Sequence, residues 1–206
     1  MEETLHNTSE THRDYTGAKM GMWLFLFTEM LLFGGMFILY AVYRFKHAGE
    51  FHEAAKGLDT AIGAVNTLIL LTSSLTMALS ISALERGNKK LSLVLQVLTI
   101  LLGAAFLANK YMEWGAKIHH GIYPDSGYLL TKGKGEIIFY GLYFVMTGLH
   151  GLHVLIGIGV LLFMLTFTIR GTVDSVNSVK LENSGLYWHF VDIVWVYLFP
   201  LFYLIT

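Results

Sequence analysis

The sequence predicts an all-α integral membrane bundle of five transmembrane helices. Of the 206 residues, 54% are hydrophobic and 14% are charged, which is more apolar than an ordinary soluble domain. Five apolar runs are long enough to cross a hydrocarbon core about 30 Å thick. We therefore expect a polar amino-terminal tail at 1–19 and a membrane domain at 20–206, with spans at about 20–43, 62–84, 91–114, 137–169 and 186–206.

The first span contains an acid, Glu29, in a stretch that is otherwise apolar apart from Thr28. At 1.5 Å per helical residue, Glu29 lies about 14 Å beyond Met20, near the middle of the bilayer. An ionised carboxylate there costs several kcal/mol, so the side chain should be protonated, partnered, or next to water or a lipid headgroup. We predict that Glu29 is protonated at neutral pH. A structural acid bonded to a neighbouring helix and a functional acid both remain open.

The second and third spans carry polar residues along one stripe each. Asn66, Ser73 and Ser80 recur at heptad spacing in the second span, and a face of the third span ends in Lys110 and Glu113, which are spaced to form an ion pair. Such stripes face other helices in membrane bundles. Polar cross-links between helices are the favoured interpretation, ahead of an ion pathway.

The fourth span combines histidines with glycines. His150 and His153 share a stripe with Gly157, while Gly141, Gly148 and Gly151 form a neighbouring face that another helix can approach closely. Two histidines one turn apart can share a metal, but such a site would need two further ligands. This span exceeds the thickness of a bilayer, so it should tilt or project.

The fifth span opens with His189 and Asp192 at positions i and i+3. This spacing predicts a hydrogen bond in which Asp192 fixes the tautomer of the imidazole.

The composition excludes several classes of site and partner. The chain has no cysteine, which excludes disulfides, cysteine-ligated iron–sulfur clusters, thiolate copper sites and covalent c-type haem. The net charge is −1 and the basic residues are spread along the chain, so no nucleic-acid partner is expected.

Orientation is predicted from basic residues near the span ends. Lys and Arg are divided almost evenly between the two sides, but the short loop 85–90 contains Arg86, Lys89 and Lys90. The positive-inside effect is strongest in such short loops. We therefore expect a cytoplasmic amino terminus and, after five spans, a carboxyl terminus outside.

Four ordered motifs carry a resemblance to a known family. They are Gly-Met-Trp-Leu-Phe-Leu-Phe-Thr-Glu at 21–29, Asn-Thr-Leu-Ile-Leu-Leu-Thr-Ser-Ser at 66–74, Thr-Gly-Leu-His-Gly-Leu-His-Val at 147–154 and Tyr-Trp-His-Phe-Val-Asp-Ile-Val-Trp at 187–195. Together they closely resemble subunit III of the haem–copper respiratory oxidases. The match covers residues 19–206 and is similar to the five-helix bacterial form.

The resemblance implies an accessory, non-redox subunit of a proton-pumping terminal oxidase in the bacterial plasma membrane. It implies no catalytic residue, haem or metal in this chain; haem and copper would lie in partner subunits. Subunit I would be the direct partner, beside subunit II and bound phospholipid. Glu29 falls at the intramembrane carboxylate of the family. The positions that line or brace its lipid cleft fall at Lys19, Glu113, His150, His153, His189 and Asp192.

Several alternatives remain open at this point. Within the family, the complex can be a cytochrome c oxidase, which the motifs favour, or a quinol oxidase, or it can accompany a nitric oxide reductase. Outside the family, His150 or His153 with His189 could ligate haem as in membrane cytochromes b, although their depths match poorly. A proton-coupled transporter with Glu29 as carrier is the other alternative, although such folds are usually duplicated.

Overall fold

The computed structural model describes residues 2–124, 126–174 and 178–205, with side chains described from Thr16 onward. Five helices in this part of the chain are long and apolar enough to cross a membrane, which confirms the predicted fold class. The elements are α1 (Glu2–Lys46), α2 (Ala48–Ala55), α3 (Thr60–Glu85), α4 (Lys89–His119), α5 (Gly127–Leu130), α6 (Lys134–Arg170) and α7 (Val179–Tyr203).

The helices extend beyond the apolar runs that predict them. Helix α1 begins at Glu2, inside the segment expected to be a polar tail, and its apolar membrane-crossing part is Thr16–Lys46. Helix α4 continues to His119 and α7 begins at Val179. Hydropathy falls where a helix leaves the hydrocarbon, whereas backbone hydrogen bonding continues through the polar turns beyond it.

The helix ends follow local chemistry. The Asp59 carboxylate accepts hydrogen bonds from Ala61 N and Ile62 N at the start of α3, and Asn88 caps α4 by accepting from Leu91 N. Gly171 ends α6 with a φ of 75°, a left-handed conformation that glycine adopts without a Cβ penalty. These signals set the turns between consecutive spans.

Helices α3, α4, α6 and α7 form the body of the bundle, and α1 lies on its flank against α6 and α7. In the most apolar 18-residue window of each span, 11% of the residues are buried in α1 and 50% in α7. Helix α1 is therefore the span that its own chain covers least.

The two ends of the bundle differ. We call the end at which α2 lies the α2 end, and the end at which α3 turns into α4 the turn end. Helix α6 has 37 residues, or about 55 Å, and α2 packs against its first turns. Helix α2 therefore covers the part of α6 that extends beyond the thickness of the bilayer.

Two polar contacts hold α2 in this position. Glu50 accepts a hydrogen bond from Gly135 N, and the Tyr140 hydroxyl donates to Ala54 O at 3.2 Å. The Gly135 N–H bond, with a smaller contribution from His47, holds the pKa of Glu50 below its usual range. Glu50 is therefore a carboxylate acceptor at the amino terminus of α6, where the helix dipole also favours negative charge.

The centre of the bundle is built around Trp188 of α7, which is fully buried. A Cβ added at Gly103 of α4 would lie 2.6 Å from the Trp188 ring, and one added at Gly157 of α6 would lie 2.9 Å from it. The indole N–H donates to Ser73 Oγ of α3 at 3.0 Å. Four helices thus meet on one side chain, and two glycines make room for it.

The glycines predicted to pack helices differ from one another. Gly157 is the tightest, and a Cβ at Gly148 would lie 3.0 Å from Trp114. At Gly151 the nearest contact is an ordinary 3.9 Å to Leu107, and at Gly141 no atom lies within 4 Å. Gly141 therefore faces no closely packed helix of the described chain. The prediction was wrong at this position because a glycine pattern does not show which face of a helix a partner covers.

We predict that Gly157→Ala destabilises the fold by about 1–3 kcal/mol, the usual cost of overpacking a rigid core. The reason is that the buried indole of Trp188 has no room to move away. Gly159→Ala is the matched control, because Gly159 lies on the same helix with nothing within 4 Å. Thermal unfolding of both variants in the same detergent measures the difference, and equal unfolding temperatures would contradict this packing.

Candidate functional site

The intramembrane acid Glu29 has a partner on another helix. Its Oε2 lies 2.9 Å from Nε2 of His153, which links α1 to α6. The His153 ring also meets Phe33 edge-on, with centroids 5.3 Å apart. Two of the residues singled out in the sequence are therefore brought into direct contact.

The second nitrogen of His153 decides how many protons this pair holds. Nδ1 lies 2.7 Å from the Leu149 carbonyl oxygen, and a carbonyl only accepts, so Nδ1 carries a hydrogen. In a neutral imidazole Nε2 is then a bare acceptor. A hydrogen bond to Glu29 requires one shared proton, on the carboxyl group or on the ring. In an apolar setting the neutral arrangement, with the proton on Glu29, avoids two charges and is therefore the expected one.

The pair opens into a groove between α1, α6 and α7, which we call the Glu29 groove. Its volume is about 420 Å³. Its walls are largely apolar, and the Tyr187 hydroxyl beside it donates to His153 O at 3.1 Å. The lining residues are Met22, Phe25, Glu29, His153, Ile156, Val160, Asn183, Ser184 and Tyr187.

Lys19 lies one to two turns from the mouth of this groove, at the turn end. Its Nζ pairs with Glu182 Oε2 at 2.9 Å, and the Asn183 side chain donates to Ala18 O at 3.3 Å. These contacts fix the first turns of α7 to α1. Lys19 therefore braces the groove, but it is not among the residues that line it.

His150 occupies a different environment from His153, although the two lie on one predicted stripe. It is fully buried, and neither ring nitrogen has a hydrogen-bonding partner among the described residues. Its ring meets Phe106 edge-on at 5.5 Å and lies 5.3 Å from Trp195. His150 points into the aromatic core, so the two histidines do not form a joint site.

The predicted hydrogen bond between His189 and Asp192 is wrong. Nδ1 of His189 lies 2.6 Å from Ser74 Oγ, and within the described part of the chain neither oxygen of Asp192 has a hydrogen-bonding partner. Ser74 of α3 also lies beside Asp192. A serine from the neighbouring helix therefore competes for the imidazole, which spacing within α7 does not reveal.

Lys110 and Glu113 form the ion pair that their spacing predicts, with Nζ 2.9 Å from Oε2. Lys110 Nζ also donates to the hydroxyls of Tyr143 and Tyr203 at 3.0 and 2.9 Å. Both hydroxyls donate to Oε1 of Glu113, at 2.7 and 2.6 Å. Both charges are buried and well bonded, and the cluster joins α4, α6 and α7 away from the Glu29 groove.

The polar stripes of α3 and α4 face each other. Thr76 and Thr99 hydroxyls lie 2.8 Å apart, Ser80 and Ser92 hydroxyls lie 3.1 Å apart, and the Asn109 amide donates to Asn66 at 3.0 Å. Trp195 Nε1 adds a bond from α7 to Thr67 at 3.1 Å. These contacts are the cross-links between helices that the sequence favours.

Three tyrosines that donate hydrogen bonds in these sites could not be identified from the sequence. Tyr143, Tyr203 and Tyr187 lie inside apolar runs, where tyrosine counts as a hydrophobic residue. The only available signal is that a buried Tyr hydroxyl needs a partner. Among the described residues, no group of three or more His, Asp or Glu side chains has an arrangement that could hold a metal ion.

The sequence matches the model of a known family along its full length. The family model for cytochrome c oxidase subunit III covers residues 1–206. The chain belongs to this family. It is subunit III of a haem–copper oxidase, an integral membrane protein that associates with other oxidase subunits.

Similar subunit III proteins come from bacteria and an archaeon. The quinol oxidase subunit 3 of Bacillus spizizenii is 30% identical over 99% of this chain and 97% of its own length. The probable quinol oxidase subunit 3 of Staphylococcus haemolyticus is 29% identical over 96% of this chain and 92% of its own length. In Aeropyrum pernix, a haem–copper oxidase subunit I+III is 30% identical over 91% of this chain and 22% of that protein.

We predict that the proton shared by Glu29 and His153 resides on the carboxyl group at pH 7. The infrared difference spectrum between this subunit III and its Glu29→Gln variant should then contain the C=O stretch of a protonated acid. Gln is a suitable comparison, because its amide N–H can still donate to Nε2 of His153. Carboxylate bands at this pH would contradict the assignment.

We predict that Lys110→Met alone costs about 3–5 kcal/mol, because it leaves Glu113 as a buried charge without its counter-ion. Adding Glu113→Gln should recover part of that loss. A double-mutant cycle on the free energy of unfolding measures this coupling. If the two costs simply add, the ion pair does not stabilise the cluster.

Proposed function

We propose that this chain is a non-redox accessory subunit of a proton-pumping terminal oxidase and that it supports the catalytic subunit during sustained turnover. The observation that carries this proposal is the Glu29–His153 pair, a one-proton site in the middle of a span that opens into a groove. Haem and copper would lie in partner subunits. The scattered surroundings of His150, His153 and His189 support that assignment, because each imidazole contacts a different set of side chains.

The direct partner in this proposal is subunit I, which contacts α1. Two observations support this choice. Helix α1 exposes most of its apolar surface, including Trp23, Leu24, Phe27 and Leu31. The Aeropyrum pernix relative joins subunits I and III in one chain, as its name states. An apolar helix face that its own bundle leaves uncovered suits a permanent contact with a second membrane subunit.

The proposed task of the Glu29–His153 pair is to hold and exchange one proton at the flank of subunit I. If the hydrogen-bonded pair released its proton, a carboxylate would face the lone pair of Nε2. The pair therefore retains the proton until another donor replaces it. Such a site assists proton uptake without taking part in electron transfer. Loss of the site should therefore shorten the time for which the complex stays active during turnover, before it changes the rate of oxygen reduction.

The Glu29 groove is the proposed site for a bound phospholipid. The apolar residues Phe25, Ile156 and Val160 can contact an acyl chain, and Lys19 and Asn183 lie near the mouth at the depth expected for a headgroup. Lipid in this position would keep water away from the pair. It would also fill the space between α1 and the body of the bundle.

The electron donor is assigned to the partner subunits. The sequence motifs favour a cytochrome c oxidase, whereas the Bacillus spizizenii and Staphylococcus haemolyticus relatives are named as quinol oxidase subunits. Quinol is therefore the second candidate donor, while a complex with nitric oxide reductase has no relative among these to support it. A cysteine-bound copper pair in the copurifying subunit II would identify cytochrome c as donor, and its absence would identify quinol.

The proposed location is the bacterial plasma membrane with the amino terminus in the cytoplasm. Arg86, which follows α3, and Lys89 and Lys90, which begin α4, lie together at the turn end. By the positive-inside rule, these basic residues support a turn end on the inside and an α2 end on the outside.

We predict that Glu29→Ala leaves assembly intact and the initial rate of oxygen reduction within about twofold of wild type, a barrier change of about 0.4 kcal/mol. No redox centre is touched, so the expected defect is a faster loss of activity during continuous turnover. Oxygen consumption by the purified complex measures both quantities. Thr28→Ala is the matched control, because Thr28 is exposed on the same helix and its hydroxyl donates to Phe25 O of that helix.

The Glu29→Gln variant separates a proton role from a structural one. It retains a hydrogen bond to His153 but has no proton to exchange at this position. We expect it to lose activity during turnover as Glu29→Ala does. If Glu29→Gln loses activity during turnover no faster than wild type, the proton role is overturned. Complete loss of initial oxygen reduction in an assembled complex would overturn the accessory role.

A further inference from the structure

A second, larger groove lies at the α2 end, between the first turns of α3 and the last turns of α4. Its volume is about 780 Å³. One part of its lining is apolar and consists mainly of Ile62, Val65 and Met112, and the other part contains Asp59, Lys117 and His120. We call it the α3–α4 groove. It shares no lining residue with the Glu29 groove, and its residues lie at the opposite end of the helices.

Lys117 supplies the positive charge of this groove. It is only 8% exposed, and its Nζ donates to Gly57 O at 3.2 Å and lies 5.7 Å from the centre of the Tyr143 ring. An ammonium group has three N–H donors. The two others have no hydrogen-bonding partner among the described residues, so a buried cation faces the groove with donors to spare.

Asp59 and His120 supply the acceptors. Asp59 uses Oδ1 to cap α3, accepting from Ala61 N at 2.9 Å and Ile62 N at 3.2 Å. Its Oδ2 makes no hydrogen bond within the described chain. Nδ1 of His120 donates to Ala116 O at 2.6 Å, which leaves Nε2 of the neutral ring as an acceptor.

The charges in the groove balance. Glu113 also lines it, but that carboxylate is neutralised by Lys110 inside the buried cluster. Lys117 and Asp59 remain, one charge of each sign, and Glu113 and, more weakly, Asp59 both act electrostatically on Lys117. An occupant that carries both a positive and a negative group therefore fits better than a purely anionic one.

The two parts of the groove are arranged along the helix axes. From Lys117 to Asn109, the α4 face extends over eight residues, or about 12 Å of helix. The charged groups lie at the helix ends, where the bilayer becomes polar, and the apolar walls extend toward its centre. Ile62, Val65 and Met112 are exposed there, as side chains that contact an acyl chain would be.

We propose that the α3–α4 groove binds a diacyl phospholipid with a zwitterionic headgroup that contains a primary amine, as in phosphatidylethanolamine. Lys117 contacts the phosphate, Asp59 and His120 accept hydrogen bonds from the ammonium group, and one acyl chain lies along Val65 and Met112. A quaternary ammonium lacks the N–H groups for these acceptors, and an anionic glycerol headgroup leaves Asp59 without a counter-charge. The proposal is independent of the oxidase assignment.

Native mass spectrometry of the purified full-length chain tests this site. The chain is depleted of lipid and then offered phosphatidylethanolamine, phosphatidylcholine and phosphatidylglycerol with identical acyl chains. We expect wild type to retain phosphatidylethanolamine in preference to the other two. Lys117→Met should reduce retention of phosphatidylethanolamine about tenfold, because a hydrogen bond to a charged group is lost. Lys132→Met, an exposed lysine at the same end of the bundle, is the matched control and should change nothing.

Asp59→Asn provides the sharper test, because Asn caps helices as well as Asp does and the fold is preserved. Only the negative charge is removed, so the preference should shift from phosphatidylethanolamine toward phosphatidylglycerol. A purely structural role would leave the ratio of the two lipids unchanged. The proposal is overturned if wild type retains all three lipids equally, if Asp59→Asn keeps the wild-type ratio, or if Lys132→Met lowers retention as much as Lys117→Met.

Discussion

The bilayer imposes one constraint on this chain from which the rest of its structure follows: a polar group inside a span must find its partner in the protein. The cluster of Lys110, Glu113, Tyr143 and Tyr203 satisfies it most completely, because two opposite charges and two hydroxyls from three helices satisfy one another. The threonine, serine and asparagine bonds between α3 and α4 satisfy it in neutral form. The same groups that would be costly in lipid therefore fix which helices are neighbours.

Glu29 meets this constraint differently, and the difference is the basis of its proposed proton role. Its partner His153 lies on another helix, and the pair borders a groove. In the Lys110 cluster, by contrast, each charge is buried and bonded to several members of the cluster at once. Such a network holds its protons in a fixed arrangement. An open pair with one proton can exchange it, and α1, which carries Glu29, is also the span that the bundle covers least. The site and the uncovered surface thus lie on one helix, next to the proposed position of subunit I.

How much of this is readable from the sequence depends on the separation of the interacting residues. Hydrophobic length predicts the five spans, and Lys110 and Glu113 are three residues apart, so local helical geometry predicts their pair. Glu29 and His153 are separated by 124 positions, and no local rule chooses a partner at that distance. His189 shows the converse error: Asp192 is near in sequence, but Ser74 of another helix is better placed. Glycine patterns fail for the same reason at Gly141, because they show that an approach is possible but not that a helix is present.

These observations describe a membrane subunit whose polar interior holds five helices together, and we propose that its flank contacts a separate electron-handling protein. Membership of the subunit III family rests on a match along the whole chain. The proposed accessory role requires, in addition, that this chain contain no redox centre of its own. The most direct measurement is the haem, iron and copper content of the chain after it is separated from its partner subunits in detergent. We expect no Soret band and no metal in stoichiometric amount. One haem or one copper ion per chain would contradict it.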